Sequence, residues 1–334
     1  MGRRFGHFAA QLDIDYIFAW LDWDGDNVLA DAGIIDYGSV RQFGLRHDRY
    51  RYDDVERFST NLNEQRNKAK LIVQVYCQIA DELRGRRRKA VKEYADHPAA
   101  KIFDTEFTRQ RAHRLLYRLG FNEIQRGNIL KEKGLFEEFD QLFSYFECAK
   151  VSGSSRKVPD GVNHPALFDM RAINRLLPAH FLAHGIATPV SEDEFFKSLL
   201  SSFAKSKDAR RGSKHTRHIQ AYQKAYIRLL QAAANKSTPQ MILNGICKRA
   251  EKLNSENRIT GNALIQIVDE ILQQRRKGVS HDSVQTWIEQ LIFATLGMPE
   301  VNVSNHYPQG PRAIPHADVL ERLFELVQSY KHDI

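Results

Sequence analysis

Cysteine, proline and long apolar runs are all scarce in this 334-residue chain. Its three cysteines, Cys77, Cys148 and Cys247, are widely separated, odd in number and form no CxxC pair. That excludes a disulfide framework, offers no zinc motif and fits a reducing cytoplasm. No stretch approaches the ~18 consecutive apolar residues of a membrane span. The basic start Met1-Gly2-Arg3-Arg4 also lacks the apolar segment of a signal peptide, because Gln11, Asp13 and Asp15 interrupt it. Neither sign of charge dominates. The 49 Lys and Arg against 41 Asp and Glu leave +8, a modest field over this length that does not by itself select nucleic acid. With 42% hydrophobic residues the chain has the means to bury a core, and its length supports two domains or one lobe with an appended region.

What the chain does have is helical periodicity. Beyond about residue 53, apolar residues return every three or four positions, while strand signals are confined to the beginning. One long or kinked helix is expected over 54–88, with Val55, Phe58, Leu62, Ile72, Val73, Tyr76, Ile79 and Leu83 on its faces and Gly85 at its end. Further helices are expected over 107–119, over 135–146 and at about 239–253, 261–275, 282–296 and 315–330. Phe136, Phe139, Phe143 and Phe146 form an aromatic stripe that reads as core. The Ser-, Gly- and Lys-rich stretch 151–161 reads as a linker between domains 1–150 and 160–334. Ser191 with Glu194 is a capping-box helix start. Two basic runs, Arg84–Lys89 and Lys205–His218, read either as solvated faces or as phosphate-contacting patches.

Chemistry-bearing residues crowd the front. Asp22, Asp24, Asp26, Asn27, Asp31 and Asp36 fall within fifteen residues, around two apolar pairs, Val28-Leu29 and Ile34-Ile35, that predict a small β-hairpin. Such a hairpin sets Asn27 at the entry and Asp36 at the exit, an amide and a carboxylate of the hard-oxygen type that Mg²⁺ takes. An EF-hand reading of Asp22, Asp24 and Asp26 fails, since loop position six is Asn27 rather than Gly and position twelve is Gly33 rather than Glu. An acidic turn with solvated carboxylates remains open, because Asp side chains readily bond nearby backbone. The third reading is a kinase-like nucleotide site. There a catalytic Asp precedes a metal-binding Asn by five residues, as Asp22 precedes Asn27, and a second metal-binding Asp follows on the next hairpin, as in Asp36-Tyr37-Gly38.

On these residues the segment 17–62 resembles the selenoprotein-O (SelO, or YdiU) protein adenylyltransferases of the kinase-like superfamily. The match is Asp26-Asn27 before an apolar strand, then Ile35-Asp36-Tyr37-Gly38, Phe43-Gly44, Arg49-Tyr50-Arg51-Tyr52 and Asn61-Leu62. Trp20 and Leu21 stand where the family has His-Gly. The resemblance implies binding of ATP in a flipped orientation and transfer of AMP to protein hydroxyls. Asp26 is then the base-like carboxylate, with Asn27 and Asp36 as Mg²⁺ (or Mn²⁺) and nucleotide ligands. Asp22 holds the ordinary kinase base position, so Asp22 and Asp26 both remain candidates.

The expected fold is therefore mainly α: a protein-kinase-like C-lobe with a short N-terminal β-hairpin, followed by a helical C-terminal extension. Only 21 residues precede Asp22 and they carry no glycine-rich loop with a strand Lys, so weak or absent catalysis by the isolated chain is expected. The expected partners are a protein substrate and a lobe supplying those elements. Nucleic acid and membrane are not expected. The alternative is a non-catalytic helical interaction protein that retains the hairpin as a relic.

Overall fold

The computed structural model describes residues 1–19, 23, 26–36, 40–51, 59–153, 160–255, 259–295 and 316–330. Among these the chain is mainly helical, with twelve α-helices and four short strands. Helix α1 (Gly2–Ile14) leads into β1 (Ile17–Ala19), which pairs antiparallel with β2 (Val40–Gln42). Ile17 stands opposite Gln42 and Ala19 opposite Val40, so this ladder draws together the two ends of the acidic stretch.

Helix α2 (Leu62–Leu83) begins later than its periodicity suggests. Residues 52–58, with Val55 and Phe58, lie outside the described residues, but 59–61 are not helical. The reason is a reciprocal cap. Asn61 accepts the Glu64 N–H at 2.9 Å, while the Glu64 carboxylate accepts from the Thr60 N–H at 2.7 Å and from its hydroxyl at 2.8 Å. Past its C-terminus, Gly85 takes φ +70, the left-handed conformation that glycine adopts without a steric penalty.

Helix α3 (Pro98–Arg118) also departs from expectation, starting well before residue 107. Pro98 sits where its missing N–H costs nothing, behind a His97 side chain that accepts from Ala99 N–H. Helix α1 lies against α3 because Gly2 and Gly6 lack side chains. A Cβ at Gly2 collides with the Ala99 carbonyl, and one at Gly6 comes to 2.5 Å from that of Phe103. Phe5, Ala9 and Leu12 of α1 then share one apolar cluster with Ala69, Ile72 and Val73 of α2 and Phe103 and Phe107 of α3.

The principal core is built by α3, α4 (Glu123–Lys131), α5 (Leu135–Glu147), α6 (Met170–His184), α7 (Glu192–Leu199), α8 (Ser213–Ala234) and α9 (Pro239–Leu253). The expected aromatic stripe is here: Phe136, Phe139, Phe143 and Phe146 are all buried, and Phe139 packs 5.0 Å from Tyr222. Each such side chain stabilises by about 1.5–3 kcal/mol when fully buried. The Ser191 hydroxyl caps α7 as expected, and Phe195, Phe196 and Leu199 are buried.

This core takes side chains from both sides of the 151–161 stretch. Residues 154–159 lie outside the described ones, but Asp160–Asn163 forms β4, which pairs antiparallel with β3 (Arg49–Arg51). Strand structure is thus not confined to the front, because the short β3 finds its hydrogen-bonding partner more than a hundred residues away. Helices α10 (Gly261–Arg276), α11 (His281–Thr295) and α12 (Ala317–Ser329) fall close to their expected bounds and build a separate cluster around Trp287 and Leu323.

Candidate functional site

The expected hairpin forms around the two apolar pairs. Val28 bridges Ile34 in antiparallel fashion, the Leu29 N–H donates to the Gly33 carbonyl at 2.8 Å, and the Ile35 N–H donates to the Asn27 carbonyl at 2.9 Å. Asp31 serves the turn, accepting the Gly33 N–H at 3.0 Å. One face of the hairpin is anchored: Val28 and Ala32 are buried in the α1–α2–α3 cluster, with Ile34 packed against it. The other face carries Leu29 and Ile35, 48% and 50% exposed.

Asp26 and Asp36 are the residues next in the chain to the Asn27–Ile35 pair, at the end of the hairpin away from its turn. Asp26 and Asp36 are exposed and Asn27 is half-buried. Asp22 and Asp24, together with Tyr37 and Gly38, lie outside the described residues. Among the described residues no group of three or more His, Cys, Asp or Glu side chains is placed to hold a metal. The donors at the open end are nevertheless hard oxygens, and Mg²⁺ is ordinarily held by one or two carboxylates with water and phosphate oxygens completing its shell. The donor chemistry fits the ion without being a closed protein cage.

Several contacts fix the base of this loop. The buried Gln65 amide accepts from the Ala19 N–H at 2.8 Å and donates to the Ile17 carbonyl at 3.0 Å, extending β1 as a neighbouring strand would. Phe18 stacks on Tyr50 at 4.9 Å, and Phe43 meets the same ring at 4.5 Å. Burial pushes the Tyr50 hydroxyl well above its ordinary pKa, and it stays a neutral donor to the Leu45 carbonyl at 3.0 Å. Gly44, at φ +73, lies so close to the Arg171 guanidinium that a Cβ there stands 2.5 Å from it. Phe43, Tyr50 and Leu62, all within the stretch that carries the resemblance, thus pack with Phe18 in one cluster at the base of the loop.

Behind the loop lies a buried charge network that residue spacing does not reveal. Arg46 pairs with Asp13 at 2.9 Å, and Arg111 reaches Asp13 at 3.3 Å, Asp140 at 2.5 Å and Glu147 at 3.7 Å. Tyr16 donates to Glu147 at 2.8 Å. The network joins α1, α3 and α5 to the segment after β2. Burial raises the Glu147 pKa above the usual carboxylate value, and its neighbours Arg46 and Arg111 only partly offset that.

The basic runs are partly absorbed by the fold. Arg86 pairs with Asp81 at 2.8 Å, Arg211 with Asp193 at 2.9 Å, and His218 stacks on Tyr145 at 3.7 Å. Cys77, Cys148 and Cys247 are free thiols. Among the described residues no helix is long and apolar enough to cross a membrane. No family model, curated protein or solved structure matches the chain.

Residue spacing also missed a second concave site, on the flank of α1 and α3. A cavity of about 590 Å³ is lined by Arg3, Arg4, His7, Glu106 and Arg109 together with the hairpin turn. Its signal was a polar stripe at helical spacing: Arg3, His7 and Gln11 on α1, Glu106, Gln110 and His113 on α3.

Proposed function

We propose that the open end of the hairpin is a Mg²⁺–nucleotide site in a kinase-like C-lobe whose chemistry is the transfer of AMP from ATP to protein hydroxyls in the manner of the SelO adenylyltransferases, weak in this chain unless a lobe supplies the glycine-rich loop and strand Lys. What supports this reading is the hairpin itself, in which Val28 bridges Ile34 and the Ile35 N–H donates to the Asn27 carbonyl, leaving Asp26 and Asp36 as the residues next to that pair in the chain. The β1–β2 ladder supports it further by closing the loop that holds the candidate bases, Asp22 and Asp26. In this chemistry a protein hydroxyl oxygen bonds to the α-phosphorus, the bond from that phosphorus to the β-phosphate's bridging oxygen breaks, and pyrophosphate leaves. The hydroxyl proton passes to the base carboxylate. Asn27 and Asp36 are the ligands for Mg²⁺ (or Mn²⁺), whose contribution is to neutralise charge on the phosphates.

The test is incubation of the full chain and candidate acceptor proteins with ATP labelled at the α- or the γ-phosphate. Weak labelling of protein from the α position, lost in Asp36→Ala, is the expected result. Label from the γ position alone makes the chain a phosphotransferase instead. Label from neither favours the second reading, a helical interaction module. The exposed Leu29 and Ile35 on one face of the hairpin are what speak for that reading, since a partner could bury them.

A further inference from the structure

The cavity beside the hairpin turn continues into a second one of about 330 Å³, the two sharing His7, Gln11, Arg109 and Gln110. Together they form one groove along α1 and α3. At one end stand Arg3 and Arg4, both exposed and without an ion-pair partner among the described residues. In the middle, Arg109 lines both cavities and donates through Nε and Nη2 to Glu106, at 3.2 and 2.7 Å. Gln110 holds the same carboxylate at 2.7 Å, so Glu106 fixes the arginine's aim and does not itself face a ligand as a bare charge.

At the far end, Arg114 and Arg126 lie over the Tyr117 ring at 5.1 and 5.2 Å, with His113 on the same wall. Arg114 is engaged by Asp15 at 2.7 Å. The lining as a whole sets five arginines and two histidines against Asp31, Glu106 and Glu123. Of these carboxylates Glu106 is tied to Arg109, and Asp31 is occupied by its own turn.

Arginines from three helices, α1, α3 and α4, lining one concavity suit phosphate, because the guanidinium fork donates two parallel hydrogen bonds to one anionic group. The volume lies in the range of small-molecule sites, roughly 300–1,000 Å³. Cations at both ends of the groove call for anionic groups at both ends of the ligand. We propose that this groove binds a multiply phosphorylated small molecule, with phosphates against Arg3, Arg4 and Arg109 at one end and against Arg126 and His113 at the other. The site is separate from the metal-binding end of the hairpin and stands or falls independently of it.

The experiment is calorimetric titration of the full chain with pyrophosphate and with tripolyphosphate, in EDTA so that no divalent ion bridges phosphate to the hairpin. Tripolyphosphate is expected to bind more tightly than pyrophosphate. The Arg3→Ala/Arg4→Ala pair is expected to lower the tripolyphosphate affinity at least about tenfold, or 1.4 kcal/mol. The Arg3→Lys/Arg4→Lys pair is expected to regain most of that loss, and Asp36→Ala to leave binding unchanged. Absence of binding by the native chain overturns the proposal. So does equal affinity in the alanine pair with a native circular-dichroism spectrum, or failure of the lysine pair to recover affinity. Binding of a single-stranded oligonucleotide without binding of tripolyphosphate replaces the small-molecule site with a nucleic-acid surface.

Discussion

The buried network behind the candidate site makes a prediction that runs against the usual view of ion pairs. Three carboxylates, Asp13, Asp140 and Glu147, face two guanidinium groups, Arg46 and Arg111, which leaves one anion in surplus. Glu147 has the most buried side chain of the five, 2% exposed, and its pKa is raised, chiefly by burial. Changing Glu147→Gln removes the surplus charge and keeps an oxygen for the Tyr16 hydroxyl. Neutral replacement of a buried ion is commonly neutral or stabilising, so the stability of this variant at pH 7 should stay within about 1 kcal/mol of the native chain or exceed it. Arg111→Met does the reverse, leaving three carboxylates with Arg46 alone, and should cost about 3–5 kcal/mol.

The pH dependence has a definite sign. A carboxyl with a raised folded pKa binds its proton more tightly in the fold, so its contribution is fully present below the unfolded value and is lost as pH rises through the folded value. The advantage of Glu147→Gln over the native chain should therefore grow from pH 5 to pH 8 in urea unfolding followed by circular dichroism. A loss of more than about 2 kcal/mol in Glu147→Gln at pH 7, or an advantage that shrinks as pH rises, refutes the surplus-charge reasoning.

Three further substitutions test the framework by the same unfolding measurement. Gly120→Ala should cost more than about 2 kcal/mol, because φ is +92 there and a Cβ collides with the Ile246 carbonyl. Asn61→Ala removes the cap that starts α2 and should cost about 1 kcal/mol. Phe139→Ala empties the centre of the aromatic stripe and should cost about 3–5 kcal/mol.

Local patterns were legible from residues alone wherever the determinant was short-range. The helices after residue 239, the Phe136–Phe146 stripe, the Ser191 cap and the 28–34 hairpin all follow from periodicity, capping or turn chemistry. What escaped was long-range or reciprocal. Strand β4 exists because β3 needs a partner, and no composition signal in a Ser- and Gly-rich stretch announces that. The start of α2 escaped because Leu62 continues an apolar pattern across the Asn61–Glu64 cap. At the candidate site, Asp36 and Asn27 stood out by spacing. The Arg46–Asp13–Arg111–Glu147 network joins residues up to 134 positions apart in the chain, and only packing brings them together.

The open end of the hairpin is proposed to bind a metal–nucleotide complex, and calorimetric titration of Mg²⁺–ATP into the full chain, with Asp36→Ala and Asn27→Ala alongside, reads that binding directly. Each of the two substitutions is expected to weaken binding at least about tenfold. No binding by the native chain, or equal binding by all three proteins, rules the site out.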